Sequence, residues 1–300
     1  MQKIPVGATV AHAYRFAFGH AADIFKAIWL PLLAQLAVAL MLTRQMAIFM
    51  AAMEAKDPSA VNLFGPLLLL FPLALIFFFA QYTAATETAL GRPPQTWFAF
   101  HFGKPMWRLL GGYLFAGLAI GAAVLILLLV LAVLATLLDV LLKGAANGRT
   151  VGAAFAILFT LACMCVFALL ALRFFFLLAP VNIAKQRLGV RQAWELSHGN
   201  AWRMLLIALA ITLPLVLINY AFTFALGGLP PTLPGADKEA RDAAEMAWRI
   251  RQLNLMVDRW YLTAPLNGVL MLFQFGMGCA AQVHAYRTLK ADGSAPVAGD

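Results

Sequence analysis

Apolar residues in this chain gather into six runs, at 24–44, 63–84, 109–138, 151–178, 204–226 and 261–285, separated by shorter segments that hold most of the charge. A helix rises 1.5 Å per residue and the hydrocarbon of a bilayer is about 30 Å thick, so each run can cross one. The third and fourth runs exceed the minimum of about 20 residues and predict a tilt, a kink or an extension past the bilayer surface. A polar marker recurs before every second run: Gly19 and His20 before Lys26, His101 and Gly103 before Arg108, His198 and Gly199 before Arg203. Aromatics stand just upstream each time: Tyr14, Phe16 and Phe18, then Trp97, Phe98 and Phe100, then Trp194. The marker glycines are 84 and 96 residues apart, room for a helical hairpin and its connections. The pattern predicts an all-α integral membrane protein of six transmembrane helices in three hairpin repeats, 8–90, 91–189 and 190–287. These form one domain over 1–290, with a disordered tail at 291–300.

Between the runs, the short lead-in segments read as interfacial amphipathic helices. Val10, Tyr14, Phe18 and Ala21 fall 4, 4 and 3 apart, one apolar stripe, and Val190, Ala193, Trp194 and Ser197 make a similar one. Trp and Tyr beside Arg and Lys favour the headgroup layer, where the ring is buried and its polar edge stays wet. Pro93 and Pro94 leave the middle lead-in a shorter helix. A further segment, 237–260, carries Ala243, Met246, Ile250, Leu253, Val257 and Trp260 at spacings of 3, 4, 3, 4 and 3. That is an amphipathic seam for the outer membrane surface, for the protein's own bundle or for a protein partner.

Composition agrees with the membrane reading: 63% of residues are hydrophobic and 12% charged, against about 45–50% and about 25% in soluble domains. The net charge of +9 is not gathered on a soluble surface, so nucleic acid is not an expected partner. Instead, Lys and Arg flank the runs. With the N-terminus inside, 13 of the 22 fall on cytoplasmic segments and span ends, against four in the two short outer loops, Arg44, Lys56, Lys143 and Arg149. The positive-inside rule then puts both termini in the cytoplasm. The first run is too long for the core of a cleaved leader, so Met1 is expected to begin the mature chain.

Candidate chemistry is sparse. Arg173 is the one charge between Val151 and Pro180 and can snorkel, pair with Glu87 or Glu195, or meet a lipid phosphate. Gln35, Asn219, Asn267 and Gln274 are uncharged polar residues inside runs, and Asn219, Asn267 and Gln274 would line any polar path between the repeats. Glu87 closes an unusually polar end to the second run, which begins at Gln81, and Asp139 caps the outer end of the third; both read as interface residues. Gly117-x-x-x-Gly121 and Gly276-x-x-x-Ala280 permit close helix approach. Three imidazoles can hold zinc, but His20, His101 and His198 lack ligand spacing and accompanying Cys or Asp, so no metal or cofactor is expected. Cys163, Cys165 and Cys279 lie inside apolar runs and read as small hydrophobes. No Gly-x-Ser-x-Gly elbow, phosphate loop or His-Glu-x-x-His pair occurs, and no catalytic residue is expected.

The stretch from Arg173 to Pro180, followed by Gly189 to Arg203 with Ala193, Ser197 and Gly199, carries a resemblance. It resembles the membrane domain fused to some glycerophosphodiester phosphodiesterases and the related YciC-like uncharacterised bacterial inner-membrane proteins. The resemblance implies a polytopic inner-membrane protein without an established activity. The soluble phosphodiesterase barrel has no counterpart in this chain. The resulting expectation is a non-enzymatic protein of the bacterial inner membrane that contacts lipid or binds a partner, with envelope maintenance as its setting. The alternative is a transporter or channel for a small solute or lipid.

Overall fold

A computed structural model describes residues 3–94, 96–97, 102–142, 148–229, 231 and 238–291, and every element among them is helical. In order these are α1 (Val6–Gly19), α2 (Ala21–Glu54), α3 (Ala60–Ala89), α4 (Lys104–Leu142) and α5 (Gly148–Phe175). Then follow α6 (Leu178–Lys185), α7 (Val190–Leu196), α8 (Ala201–Gly227), α9 (Lys238–Asp258) and α10 (Trp260–Ala291). Six stretches are long and apolar enough to cross a membrane: α2, α3, α4, the α5–α6 stretch, α8 and α10. The protein is a multi-pass helical membrane protein, with one candidate spanning stretch for each of the six apolar runs.

Boundaries moved where helical residues continue past the apolar run. α2 has 34 residues, about 51 Å at 1.5 Å per residue, so it outruns the hydrocarbon. Arg44, expected in a loop, therefore sits on α2. The fourth run is interrupted instead of continuous. Pro180 lacks an N–H and its ring crowds the carbonyl four residues earlier, so the helix stops at Phe175 and restarts as α6. All of Leu178 to Ile183 on α6 is buried.

Packing divides the molecule into two ends. The lead-in end holds α1, α6, α7 and both ends of the described chain; the far end holds the turns that close the hairpins. α10 is the hub and packs against α1, α2, α3, α6, α8 and α9. Gly276 makes its contact with α1 possible: a Cβ there would meet Ile24 Cδ1 at 2.8 Å and Ala17 Cβ at 3.3 Å. Gly117 and Gly121 have nothing within 4 Å of such a Cβ, so that small-residue pair is not used for close approach.

The first lead-in helix docks on the protein by a stripe one residue away from the expected one, whereas the third buries Ala193 and Ser197 of its expected stripe. On α1 the buried residues are Thr9, Ala13 and Ala17, while Val10 and Tyr14 are half-buried and Phe18 is exposed. Tyr14 finds a role at its edge. Pro214 inside α8 leaves the Ala210 carbonyl without its helical N–H, and the Tyr14 hydroxyl donates to that carbonyl at 3.0 Å. Setting Gly19 against Gly199 pairs Ala13 with Ala193, Ala17 with Ser197, Ile24 with Met204 and Ala27 with Ile207; all eight are buried. The middle lead-in, including Phe98, Phe100 and His101, lies partly outside the described residues.

The polar end of α3 is core apart from Glu87, which is half-buried. Gln81, Tyr82, Thr83, Thr86 and Thr88 are all buried, and the three threonine hydroxyls bond back to carbonyls four residues earlier. α9 packs against α2, α8 and α10, with Gln252 as its buried residue, so this amphipathic helix covers its own bundle. Trp260, expected at the end of its seam, instead opens α10.

Candidate functional site

Five of the spans form a closed ring: α3 packs on α4, α4 on α5, α5 on α8, α8 on α10 and α10 back on α3. All five line a chamber of about 360 Å³, open over part of its surface. Each helix contributes to its wall: Phe78 and Tyr82, Tyr113, Leu172 and Phe175, Ile211 and Thr212, and Gln274, Phe275, Gly278 and Gln282 among those of α10. The lining is mostly aromatic and aliphatic, with Thr212, Gln274, Gln282 and two tyrosines as its polar groups and, among the described residues, no charged side chain. On the lead-in side α6 follows directly from Phe175 and Phe176 and packs against α3, α4 and α10, closing that end.

A hydrogen-bond network ties the ring together beside the chamber. Tyr82 donates to Gln282 Oε1 at 2.6 Å, and the Tyr113 hydroxyl lies 2.9 Å from that of Tyr82 and 3.0 Å from the Phe175 carbonyl. Tyr113 has one proton, so it serves one of these two acceptors at a time. The Phe175 carbonyl is available because the break before α6 removed its helical partner. The Tyr113 ring also stacks on Phe175 at 5.0 Å. Cys279 completes the cluster, buried with its Sγ 3.4 Å from the Thr86 hydroxyl.

Sequence reasoning found Gln274 but passed over Tyr82, Tyr113 and Gln282. Their signal is a polar atom on a ring or amide at a position where the neighbours are uniformly apolar. Asn219 and Asn267 are not in the chamber. They line a smaller cavity of about 90 Å³ between α2, α8, α9 and α10, together with Gln252 and Thr263. The three residues expected to form one polar path are thus split between two cavities. Gln35, the remaining polar residue within a run, accepts from the Gln81 amide across α2 and α3.

Arg173 is half-buried, and its guanidinium carbon lies 3.6 Å from the centre of the Trp194 ring. Its hydrogen bonds are long, 3.4 Å to Ser197 Oγ and 3.5 Å to the Trp194 carbonyl. Glu195 is bound by Arg191 at 2.8 Å, and Glu87 sits half-buried on α3. Neither carboxylate is brought onto Arg173 among the described residues. A face of Trp is the substitute, since the ring quadrupole attracts a desolvated cation.

Histidines cluster differently from the marker pattern. His20 stacks on Phe16 at 4.6 Å, while His12 and His284 stack on each other at 4.7 Å. Burial holds the His12 pKa below the ordinary imidazole value, helped by the nearby His284, Arg287, Arg15 and His20. Among the described residues no three His, Cys, Asp or Glu side chains converge as a metal site would require. No family model, no curated protein and no solved structure matches this chain.

Proposed function

We propose that the protein is a non-enzymatic, lipid-binding protein of the bacterial inner membrane, and that the ringed chamber takes the apolar chain of a membrane amphiphile. The carrying observation is a partly open cavity of about 360 Å³, lined by five helices, whose walls are mostly apolar and whose few polar groups are uncharged. Volumes of about 300–1,000 Å³ with a small number of placed polar groups are typical of ligand pockets. A charged solute would find no counter-charge there, whereas an acyl chain would meet Phe78, Phe275, Leu172 and Ile211 and place a carbonyl or hydroxyl near Gln274, Thr212 or Gln282. In this reading the lead-in end faces the cytoplasm, where the basic residues at span ends place it by the positive-inside rule. Arg173 over Trp194 then lies at the headgroup boundary of that leaflet.

Gly278 supplies the test. It lines the chamber and has nothing within 4 Å of where a Cβ would stand, so Gly278→Leu fills the space without a clash at Cβ. A photo-activatable fatty-acyl lipid in nanodiscs should label the wild type at chamber residues, and G278L should lose most of that labelling while keeping its elution profile. Equal labelling in both proteins would defeat the proposal. A second reading, movement of a lipid or small solute through the chamber, is favoured by the interrupted α5–α6 helix, since broken helices mark many transport sites. Proteoliposome flux of the same probe, abolished by G278L, distinguishes movement from binding.

A further inference from the structure

The turn between α6 and α7 is a second site, independent of the chamber. Its backbone is held in an unusual shape from three directions. Gln186 caps α6 in the left-handed region at φ 54°, which costs a non-glycine residue energy and persists only when its surroundings enforce it. Arg108 on α4 enforces it by donating to the Gln186 carbonyl at 2.5 Å. The Gly189 N–H donates to Asn182 Oδ1 at 2.6 Å, and a Cβ on Gly189 would come within 2.3 Å of Val181 Cγ1, so only glycine fits.

This rigid turn shapes a concavity of about 330 Å³, lined by Lys185, Arg187, Arg191 and Glu195 with Leu188, Gly189 and Gln192. Three cations face one carboxylate, and that carboxylate is already bound by Arg191. Lys185 and Arg187 have no anionic partner among the described residues. Beside them Leu188 is 61% exposed, and its Cδ2 lies 3.6 Å from where a Cβ on Gly112 of the α4 span would sit. The turn is therefore pressed against a membrane-spanning helix eight residues past that helix's start at Lys104, about 12 Å along it. A bare leucine at that level meets lipid, and the cations next to it meet headgroups.

We infer that the α6–α7 turn is a binding site for the phosphate headgroup of an anionic phospholipid, with Lys185 and Arg187 contacting the phosphate, Arg191 adding charge and Leu188 seated among the acyl chains. A cation near an anionic membrane surface gains roughly fivefold in affinity, so removing two should cost on the order of tenfold or more. The whole protein, released from nanodiscs of mixed phosphatidylglycerol and phosphatidylcholine, is examined by native mass spectrometry. The wild type should retain phosphatidylglycerol in preference to phosphatidylcholine. The double substitution Lys185→Gln/Arg187→Gln should lower phosphatidylglycerol retention at least about tenfold and leave phosphatidylcholine unchanged. Leu188→Ser should weaken retention of the lipid. Inorganic phosphate and glycerol phosphate at millimolar concentration should displace little of it. No preference in the wild type, an unchanged double variant, or full displacement by free phosphate would each overturn the assignment. G278L, which fills the chamber, should leave this preference intact, so failure of one site is distinguishable from failure of the other.

Discussion

At the lead-in end α3 buries every residue from Phe79 to Ala89 except Glu87, while along α4 from Leu118 to Leu137 most of the described large apolar side chains stand in the open. Leu118, Leu125, Ile126 and Leu129 are each 60% exposed or more. In water such a surface would collapse. In a bilayer it is solvated by lipid tails as apolar as leucine, so no hydrophobic force draws the far ends together. Cohesion must come from close backbone approach, dispersion contacts and hydrogen bonds that lipid cannot offer, and these are concentrated at the lead-in end. Ala13, Ala17 and Gly276 let α1 and α10 meet; Tyr82, Tyr113 and Gln282 bond across three helices; Asn200 Oδ1 accepts from the Ile4 N–H at 3.0 Å, and Arg203 donates to the Ile4 carbonyl at 2.7 Å.

The contrast can be broken most severely at Gly276. Replacing it with leucine drives a branched side chain into Ile24 and Ala17, and overpacking of this kind costs about 1–3 kcal/mol. Unfolding by steric trapping in bicelles should show that loss, together with faster proteolysis of α1. Unchanged stability would mean that α1 is not held by close approach to α10. A smaller loss is expected for Tyr113→Phe, which leaves the Phe175 carbonyl or the Tyr82 hydroxyl short of a partner. Hydrogen bonds between membrane helices average about 0.6 and reach about 1.7 kcal/mol, so the same measurement should fall in that interval. The far end supplies the control. Leu118→Ala and Leu125→Ala, at side chains 75% and 60% exposed, should each change stability by less than about 0.5 kcal/mol. A loss of 2 kcal/mol or more at either would show that the far ends are packed against something after all.

The same physics explains which features of the fold and site were legible before any coordinates. Large apolar residues mark where a chain meets lipid, so the stripe Val10–Tyr14–Phe18 was conspicuous, yet the face that packs on protein is the neighbouring Thr9–Ala13–Ala17. α9 repeats the lesson: Leu253 belongs to the visible seam, whereas the buried residue is its neighbour Gln252. The polarity of the run from Gln81 says nothing by itself of burial; packed between helices, its threonine hydroxyls are satisfied by their own helix and by Cys279. Of the candidate site, Gln274 was legible as a lone amide in an apolar run, and Arg173 as a lone charge. The aromatic partner of Arg173 was not, because a carboxylate and a Trp face satisfy a guanidinium about equally well on paper.

Hydropathy alone determined the class of this protein and how many of its helices are long and apolar enough to cross a membrane, because span length against hydrocarbon thickness is a local quantity that each helix meets by itself. It also located the turns and the lead-in segments, through glycine, proline and charge. Which helices close the ring, that Pro180 turns the end of one span into the buried plug α6, and that Asn219 and Asn267 part company from Gln274 were decided only in three dimensions. A helix that is apolar on every side, as α4 is, has no periodicity to say which face meets a neighbour and which meets lipid; that choice is made by the shape and hydrogen-bonding of the helices around it.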